Sequence, residues 1–220
     1  MNMEKDGQQK TQEAYFDPKI VAGYLEKHGK HPKLTSQVEQ FAKTLSGKRV
    51  IDVGCGTGHD TYYFAKLGYE AVGVDYSPEM IRVARELEET DNPPIFEVLD
   101  MRDIGNRFEE NSFDGAWVSA SLLHIPQEDV PTVLQGLRKI VVNKGKIYIG
   151  LKSGKQGAAI VKEDKYGQPM EREFIFWEEE SFRKVAEENG LKVEKVDKGE
   201  GGKTGEEATS WLNFYLEAEK

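Results

Sequence analysis

The stretch from Val50 to Asp60 reads VIDVGCGTGHD, with glycines at alternate positions, Gly54, Gly56 and Gly58, directly after an apolar run. Glycine accepts backbone angles that other residues resist, and it lets another molecule lie against the main chain. A strand, a glycine turn and a helix start set free backbone N–H groups and the positive end of a helix dipole beside whatever binds there. The dinucleotide fingerprint, G-x-G-x-x-G, has a different spacing. Here the third glycine comes one residue early and is followed by His59 and Asp60, so a pyrophosphate cradle is disfavoured. On its own such a loop is a weak signal.

Outward from that turn the chain alternates. RVIDV, YEAVGVD, IFEVLD, SFDGAWVS and GKIYIGLK each predict a short strand. Between them, DTYYFAKLG predicts a helix ending at Gly68, and SPEMIRVARELEE one with Ser77 as N-cap and Pro78 at the first helical position. QEDVPTVLQGLRKIV is helical with Pro131 in its first turns. This alternation predicts a doubly wound, Rossmann-like α/β fold whose mostly parallel sheet is covered on both faces. Acids close its strands. Asp75 ends the second, where a carboxylate can accept both hydroxyls of a ribose. Asp100 ends the third, where adenine can lie against Met101. Asp52, inside the first strand end, can face a ligand ammonium directly or through water.

The flanks are less regular. The first dozen residues read as a frayed tail. PKIVAGYLEKHG (18–29) predicts a helix, and SQVEQFAKTL (36–45) another, with Ser36 as N-cap and Glu39 completing a capping box. Residues 153–170 read as an exposed excursion, EREFIFW as extended, and EEESFRKVAEENG as a helix stopped by Gly190. LKVEKVDKG and ATSWLNFYLEAEK predict an antiparallel hairpin at the sheet edge, completing a seven-stranded sheet.

Composition narrows the classes. The chain has 220 residues, 38% hydrophobic, enough for one large core. A net charge of −9 disfavours a dominant phosphate-backbone interaction, so no nucleic acid partner is expected. The polar start and the lack of a long apolar run predict neither signal peptide nor membrane partner. Cys55 is the single cysteine, which fits a reducing, cytoplasmic setting and excludes an internal disulfide. It reads as a small filler in a tight turn. The histidines lack a metal-ligand spacing, and no metal is expected.

VIDVGCGTG, GVDYSPEMIRVARE, EVLDMRDI, SFDGAWVSASLLHIP and KGKIYIGLK follow one another over residues 48–151. In this order they resemble the successive motifs of class I S-adenosylmethionine-dependent methyltransferases, of the small-molecule type 11/12-like kind. The closing hairpin resembles that family's reversed final strand. The resemblance implies S-adenosyl-L-methionine as cofactor and S-adenosyl-L-homocysteine as product. It implies Gly54, Gly56 and Gly58 under the methionine moiety, Asp75 on the ribose, and Tyr76 packing on adenine, with Met80 also at the cofactor. Asp100 would hold the adenine amino group, Met101 would donate from its backbone, and Ser119 would offer its carbonyl to the methionine amino end, near Asp52. Residues 1–47 resemble an N-terminal helical arm or lid over a core of residues 48–220, with 153–177 as a cap-like excursion. In the arm, Tyr24 is expected at the cofactor and Tyr15 at the substrate.

His124 follows the fourth strand at the mouth where a methyl would be delivered. It is a candidate general base, or a residue that only shapes the pocket. Arg172 is a candidate substrate contact, or a solvated charge. Lys152 and Lys155 are candidate contacts for an anion. Asn92-Pro93-Pro94-Ile95 mimics a motif of amino-targeting DNA methyltransferases, but it precedes the third strand and reads as a turn. The expected function is in-line methyl transfer to a small molecule by a monomer or homodimer. The rivals are a non-catalytic S-adenosylmethionine-binding regulator, a protein-substrate methyltransferase, and a nicotinamide oxidoreductase, the last disfavoured by the glycine spacing and the lack of a Tyr-x-x-x-Lys pair.

Overall fold

The RVIDV strand is the middle one of five parallel strands in a sheet that organises the molecule. In the computed structural model, which describes residues 7–28, 34–87, 91–155, 157–204 and 207–220, three helices come first: α1 (Gly7–Phe16), α2 (Pro18–His28) and α3 (Thr35–Ala42). There follow β1 (Arg49–Val53), α4 (His59–Lys66), β2 (Glu70–Asp75), α5 (Pro78–Glu86), β3 (Ile95–Val98), α6 (Ile104–Arg107) and β4 (Phe113–Ser119). The rest comprises α7 (Val130–Ile140), β5 (Val141–Ser153), β6 (Gly157–Glu163), β7 (Met170–Phe176), α8 (Glu179–Glu188), β8 (Leu191–Thr204) and β9 (Glu207–Ala218).

Seven strands form one sheet in the order β3-β2-β1-β4-β5-β9-β8. The first five are parallel, and β9 runs antiparallel to both neighbours. Residues alternate between the faces, as the two-residue period of a strand demands. Ile51, Ala116, Val118, Ile147 and Ile149 pack with α7 and α8 through Leu134, Leu137 and Phe182. Val50, Trp117 and Tyr148 face the other way, against Val38 and Phe41 of α3 and Phe64 of α4. Trp117 and Tyr148 stack with ring centroids 3.9 Å apart. The strand order reverses between β1 and β4, and the crevice beyond their carboxyl ends is where open α/β sheets place ligands.

Two local expectations hold in detail. Ser77 caps α5, its hydroxyl accepting from the Met80 N–H at 3.1 Å, with Pro78 in the first turn. Asn92 turns the chain into β3, its side-chain amide donating to the Tyr69 carbonyl. Others fail. Residues 7–16 are helix α1, with Thr11 and Ala14 buried, because α1 docks on β7: the Glu173 N–H donates to the Thr11 hydroxyl at 2.8 Å. The excursion carries β6, paired antiparallel with β7 as a separate two-stranded sheet with Val161, Tyr166 and Met170 buried. Ser36 lies inside α3, which starts after Leu34 without a side-chain cap, and Glu39 instead accepts from the Tyr63 hydroxyl at 2.5 Å. Among the described residues no helix is long and apolar enough to cross a membrane.

Candidate functional site

A pocket of about 860 Å³, counted to its open mouth, occupies the crevice at the switch point. Its floor is the glycine turn after β1 and the segment after β4, and its roof is α1. Of the residues singled out from sequence, Tyr15, Tyr24, Gly54, Gly56, Asp75, Tyr76, Met80, Asp100, Met101, Ser119 and His124 line it. Asp52, Gly58 and Arg172 do not.

All three turn glycines have left-handed backbones, with φ of +75°, +53° and +85°. Their surroundings separate their roles. A Cβ on Gly54 would strike the Ser121 side chain at 2.2 Å, and one on Gly58 the Phe96 ring at 2.8 Å. A Cβ on Gly56 would meet only the Tyr24 hydroxyl, at 3.8 Å, so this residue leaves space that a ligand can fill.

The expected free N–H groups of the turn are not free. Gly54 and Cys55 both donate to the Val74 carbonyl, at 2.7 and 3.0 Å, and Gly58 donates to Cys55. The Gly56 N–H donates to Asp75 Oδ2 at 2.9 Å. At the start of α4, Asp52 accepts from the Thr61 hydroxyl at 2.6 Å and from its backbone N–H. Backbone carbonyls and the strand-end acids Asp75 and Asp52 thus take the donors that a pyrophosphate would need. Burial, then the neighbouring Asp60, pushes the Asp52 carboxyl well above the usual range. Asp60 is raised too by burial, against a hydrogen bond from Trp117 Nε1. Burial also keeps the Cys55 thiol protonated.

Asp75 is anchored by two backbone donors. It is 8% exposed. Oδ1 accepts from the Ser77 N–H at 2.9 Å and Oδ2 from Gly56. Burial pushes its carboxyl up to about 6, against those two bonds. Each oxygen retains a lone pair for a further donor. Asp100 caps the single-turn helix Met101–Asp103 by accepting from the Arg102 N–H. Its oxygens also receive the Arg102 guanidinium at 3.0 and 2.6 Å, while Arg102 reaches Asp129 at 3.0 Å. Burial raises the Asp100 carboxyl, but the Arg102 bonds outweigh it and hold the group low.

The roof joins the two halves of the pocket. Tyr76 donates to the Thr11 carbonyl at 3.2 Å, and the Ser77 hydroxyl donates to the Tyr15 carbonyl at 2.7 Å. From the other side Arg172 donates to the Tyr15 hydroxyl and pairs with Glu163. Arg172 is thereby buried behind Tyr15. His124 Nδ1 lies 2.7 Å from the Glu173 carbonyl and must donate to it, so Nε2 is the bare nitrogen, 3.4 Å from the Tyr15 hydroxyl. Burial, then Arg172, pulls the imidazole down to about 3, so His124 stands neutral.

The remaining candidates are placed elsewhere. Lys152 lies over the Trp211 ring at 4.1 Å, and Lys155 is exposed. His28 stacks on Tyr24 at 4.2 Å, while His31 lies outside the described residues. Among the described residues no group of three or more His, Cys, Asp or Glu is arranged to hold a metal ion. Sequence reading missed Gln8, Gln12, Ala120, Ser121 and Arg102, all of which line the pocket. Gln8, Gln12 and Tyr15 share one face of α1, but no apolar stripe marks that helix in the sequence. Ala120, left-handed at φ +55°, leaves no trace in sequence.

Residues 50–145 match the family model of a methyltransferase domain. Over that stretch, less than half of its length, the chain resembles the class I S-adenosylmethionine-dependent methyltransferases. The chain is 29% identical over 106 residues to ubiquinone biosynthesis O-methyltransferase of Xanthomonas oryzae pv. oryzae, covering 48% of the chain and 43% of the relative. It is 33% identical over 106 residues to the chloroplastic tocopherol O-methyltransferase of Arabidopsis thaliana, covering 46% of the chain and 29% of the relative. The matches thus span less than half the length of those curated relatives. Its fold superposes on Burkholderia thailandensis 1,6-didemethyltoxoflavin-N1-methyltransferase, solved with 1,6-didemethyltoxoflavin and S-adenosylhomocysteine, with TM-score 0.68 and 14% identity. That likeness covers 100% of this chain and 94% of the other.

Proposed function

We propose that this protein is a methyltransferase that binds S-adenosylmethionine in the switch-point pocket and transfers its methyl group to a small molecule. Asp75 carries the reading. A buried carboxylate, fixed by two N–H bonds and still offering lone pairs, stands beside the open space over Gly56. That pair of acceptor oxygens suits the vicinal hydroxyls of a ribose. The acids near the turn suit a cation and oppose a pyrophosphate. Tyr76, Met80, Leu99 and Met101 give an apolar bed for a base. The relatives' printed names support a small-molecule acceptor.

When bound, S-adenosylmethionine would supply an electrophilic methyl on a sulfonium. The chain's own task is then alignment and exclusion of water, which can contribute about 7–11 kcal/mol of a barrier. Gly56 leaves the floor open and Asp75 fixes the nucleoside. The α1 roof, tied by Tyr76 and Ser77 on one side and by Arg172 and Glu173 on the other, closes the acceptor side. The twin hydrogen-bonded sides make α1 a lid whose opening admits ligands.

A thermal-shift titration tests this reading. S-adenosylhomocysteine at a hundred times its dissociation constant adds about 2.7 kcal/mol of stability, a rise of about 5–11 °C for a chain of this size. NAD at the same concentration gives none. A shift with NAD alone would overturn the proposal.

A further inference from the structure

Behind Tyr15 and Tyr24, on a chain whose net charge is −9, positive side chains gather. Arg172 lies on β7, Lys165 between β6 and β7, Lys152 on β5 and Lys27 in the last turn of α2. Three of them surround one ring. The Arg172 guanidinium lies 5.7 Å, Lys165 Nζ 5.5 Å and Lys27 Nζ 5.9 Å from the centre of Tyr166. A ring face attracts cations but does not neutralise them. Glu163 pairs with Arg172. Among the described residues Lys27, Lys152 and Lys165 have no carboxylate within ion-pair distance. Like charges held together cost free energy until an anion joins them. Lys165 shows it: partial desolvation of its ammonium, then Arg172, Lys27 and Lys152, hold it below the ordinary lysine range against the pull of Glu163.

Arg172 is itself incompletely satisfied. The residue is 4% exposed. Nη1 donates to the Tyr15 hydroxyl and Nη2 to Glu163, while Nε has no partner. A buried, orphaned N–H is rare in folded proteins, and on a cation it leaves room for one more acceptor oxygen. The cluster stands one layer of tyrosines from the pocket. Tyr15, whose oxygen rests on Arg172, lines the cavity, and so does Tyr24, whose ring meets Tyr166 edge-on with centroids 5.3 Å apart. Tyr15 travels with α1, so opening that lid takes its hydroxyl off the guanidinium.

On the methyl-transfer reading above, we propose that this cluster is the subsite for an oxyanion carried by the methyl acceptor, a phosphate or carboxylate held by Arg172 and Lys165. With the roof raised, Arg172 exchanges the Tyr15 hydroxyl for an anionic oxygen, the stronger acceptor, and Nε gains a partner. On reclosure the Tyr15 hydroxyl, freed from Arg172, donates to the same anion. The rest of the acceptor runs back across Tyr24, whose hydroxyl borders the open floor at Gly56.

The test uses the full chain saturated with S-adenosylhomocysteine. Inorganic phosphate or acetate is titrated against chloride at constant ionic strength, and the melting point is read. A saturable rise with either anion is expected, and the tighter of the two names the head group. Arg172→Gln weakens that anion about 10–100-fold. The double replacement Lys152→Gln, Lys165→Gln weakens it about 2–20-fold. Both leave the affinity for S-adenosylhomocysteine unchanged. If Arg172→Gln does not fold, the lysine pair decides alone. No response to either anion, or a response unchanged in the folded variants, overturns the subsite while cofactor binding and methyl transfer stand. A parent chain that fails to bind S-adenosylhomocysteine overturns the methyl-transfer reading beneath it as well.

Discussion

Replacing Asp75 with asparagine separates the energetics of the empty fold from those of binding. Burial lifts the carboxyl from 3.8 to about 6. A raised acid pKa means that the folded state holds the proton more tightly than the unfolded one. Stability therefore falls as the pH climbs from about 4 to about 6 and is level above. The two-unit shift corresponds to about 3 kcal/mol. Asp75→Asn removes that cost at pH 8. It also turns an amide NH2 toward the N–H of Gly56 or Ser77, which costs about 1–3 kcal/mol. The net is neutral to about 2 kcal/mol stabilising, a melting point unchanged or up to about 8 °C higher. Binding moves the other way. The ribose loses one charge-assisted bond, about 1.5–3 kcal/mol, or about 10–150-fold in affinity. Calorimetric titration of S-adenosylhomocysteine at pH 8, alongside scanning calorimetry, reads both quantities. Affinity within about threefold of the parent in a folded variant would refute the ribose role. A melting point lowered by more than about 10 °C would refute the stability argument.

Other expectations follow from the same geometry. S-adenosylhomocysteine binds the ionised Asp75, so its affinity falls toward about tenfold per pH unit below pH 6; an affinity flat from pH 8 to 5 contradicts this. Gly56→Ala folds, at about 1–2 kcal/mol of left-handed strain, but binds S-adenosylhomocysteine weakly because its Cβ fills the open floor. Gly58→Ala adds a contact at 2.8 Å with the Phe96 ring, so urea unfolding finds it about 1–3 kcal/mol less stable than Gly56→Ala; equal stabilities would sink the distinction. Tyr15→Phe leaves Arg172, whose Nε already lacks a partner, short of another. A loss of about 1–3 kcal/mol follows, with a raised acceptor KM and an unchanged cofactor affinity; a weakened cofactor affinity would misplace Tyr15.

The central sheet was legible because its signals are local. β1, β2 and β4 read as apolar runs since both faces are covered, and Ser77-Pro78 announces a helix by its own chemistry. The roof was not legible from its own residues; only the family resemblance implied a helical arm there. GQQKTQEAYF has no apolar stripe, and its helix rests on long-range bonds such as Glu173 to Thr11. β6 is held by pairing with β7, which no local pattern declares. In the site, Asp75 was found because it closes a strand after a glycine turn. The inward use of the turn's N–H groups was hidden, because the Val74 carbonyl that takes two of them lies on the neighbouring strand. Arg172 stood out because it alternates with Phe174 and Phe176, but its burial behind Tyr15 depends on the docking of α1.

The account stands or falls on where a nucleoside sits. A crystal structure with S-adenosylhomocysteine is predicted to show both ribose hydroxyls within hydrogen-bond distance of the Asp75 carboxylate and the amino-acid portion across Gly56. A nucleoside seated away from Asp75, or crystals from saturating ligand with this pocket empty, would contradict it.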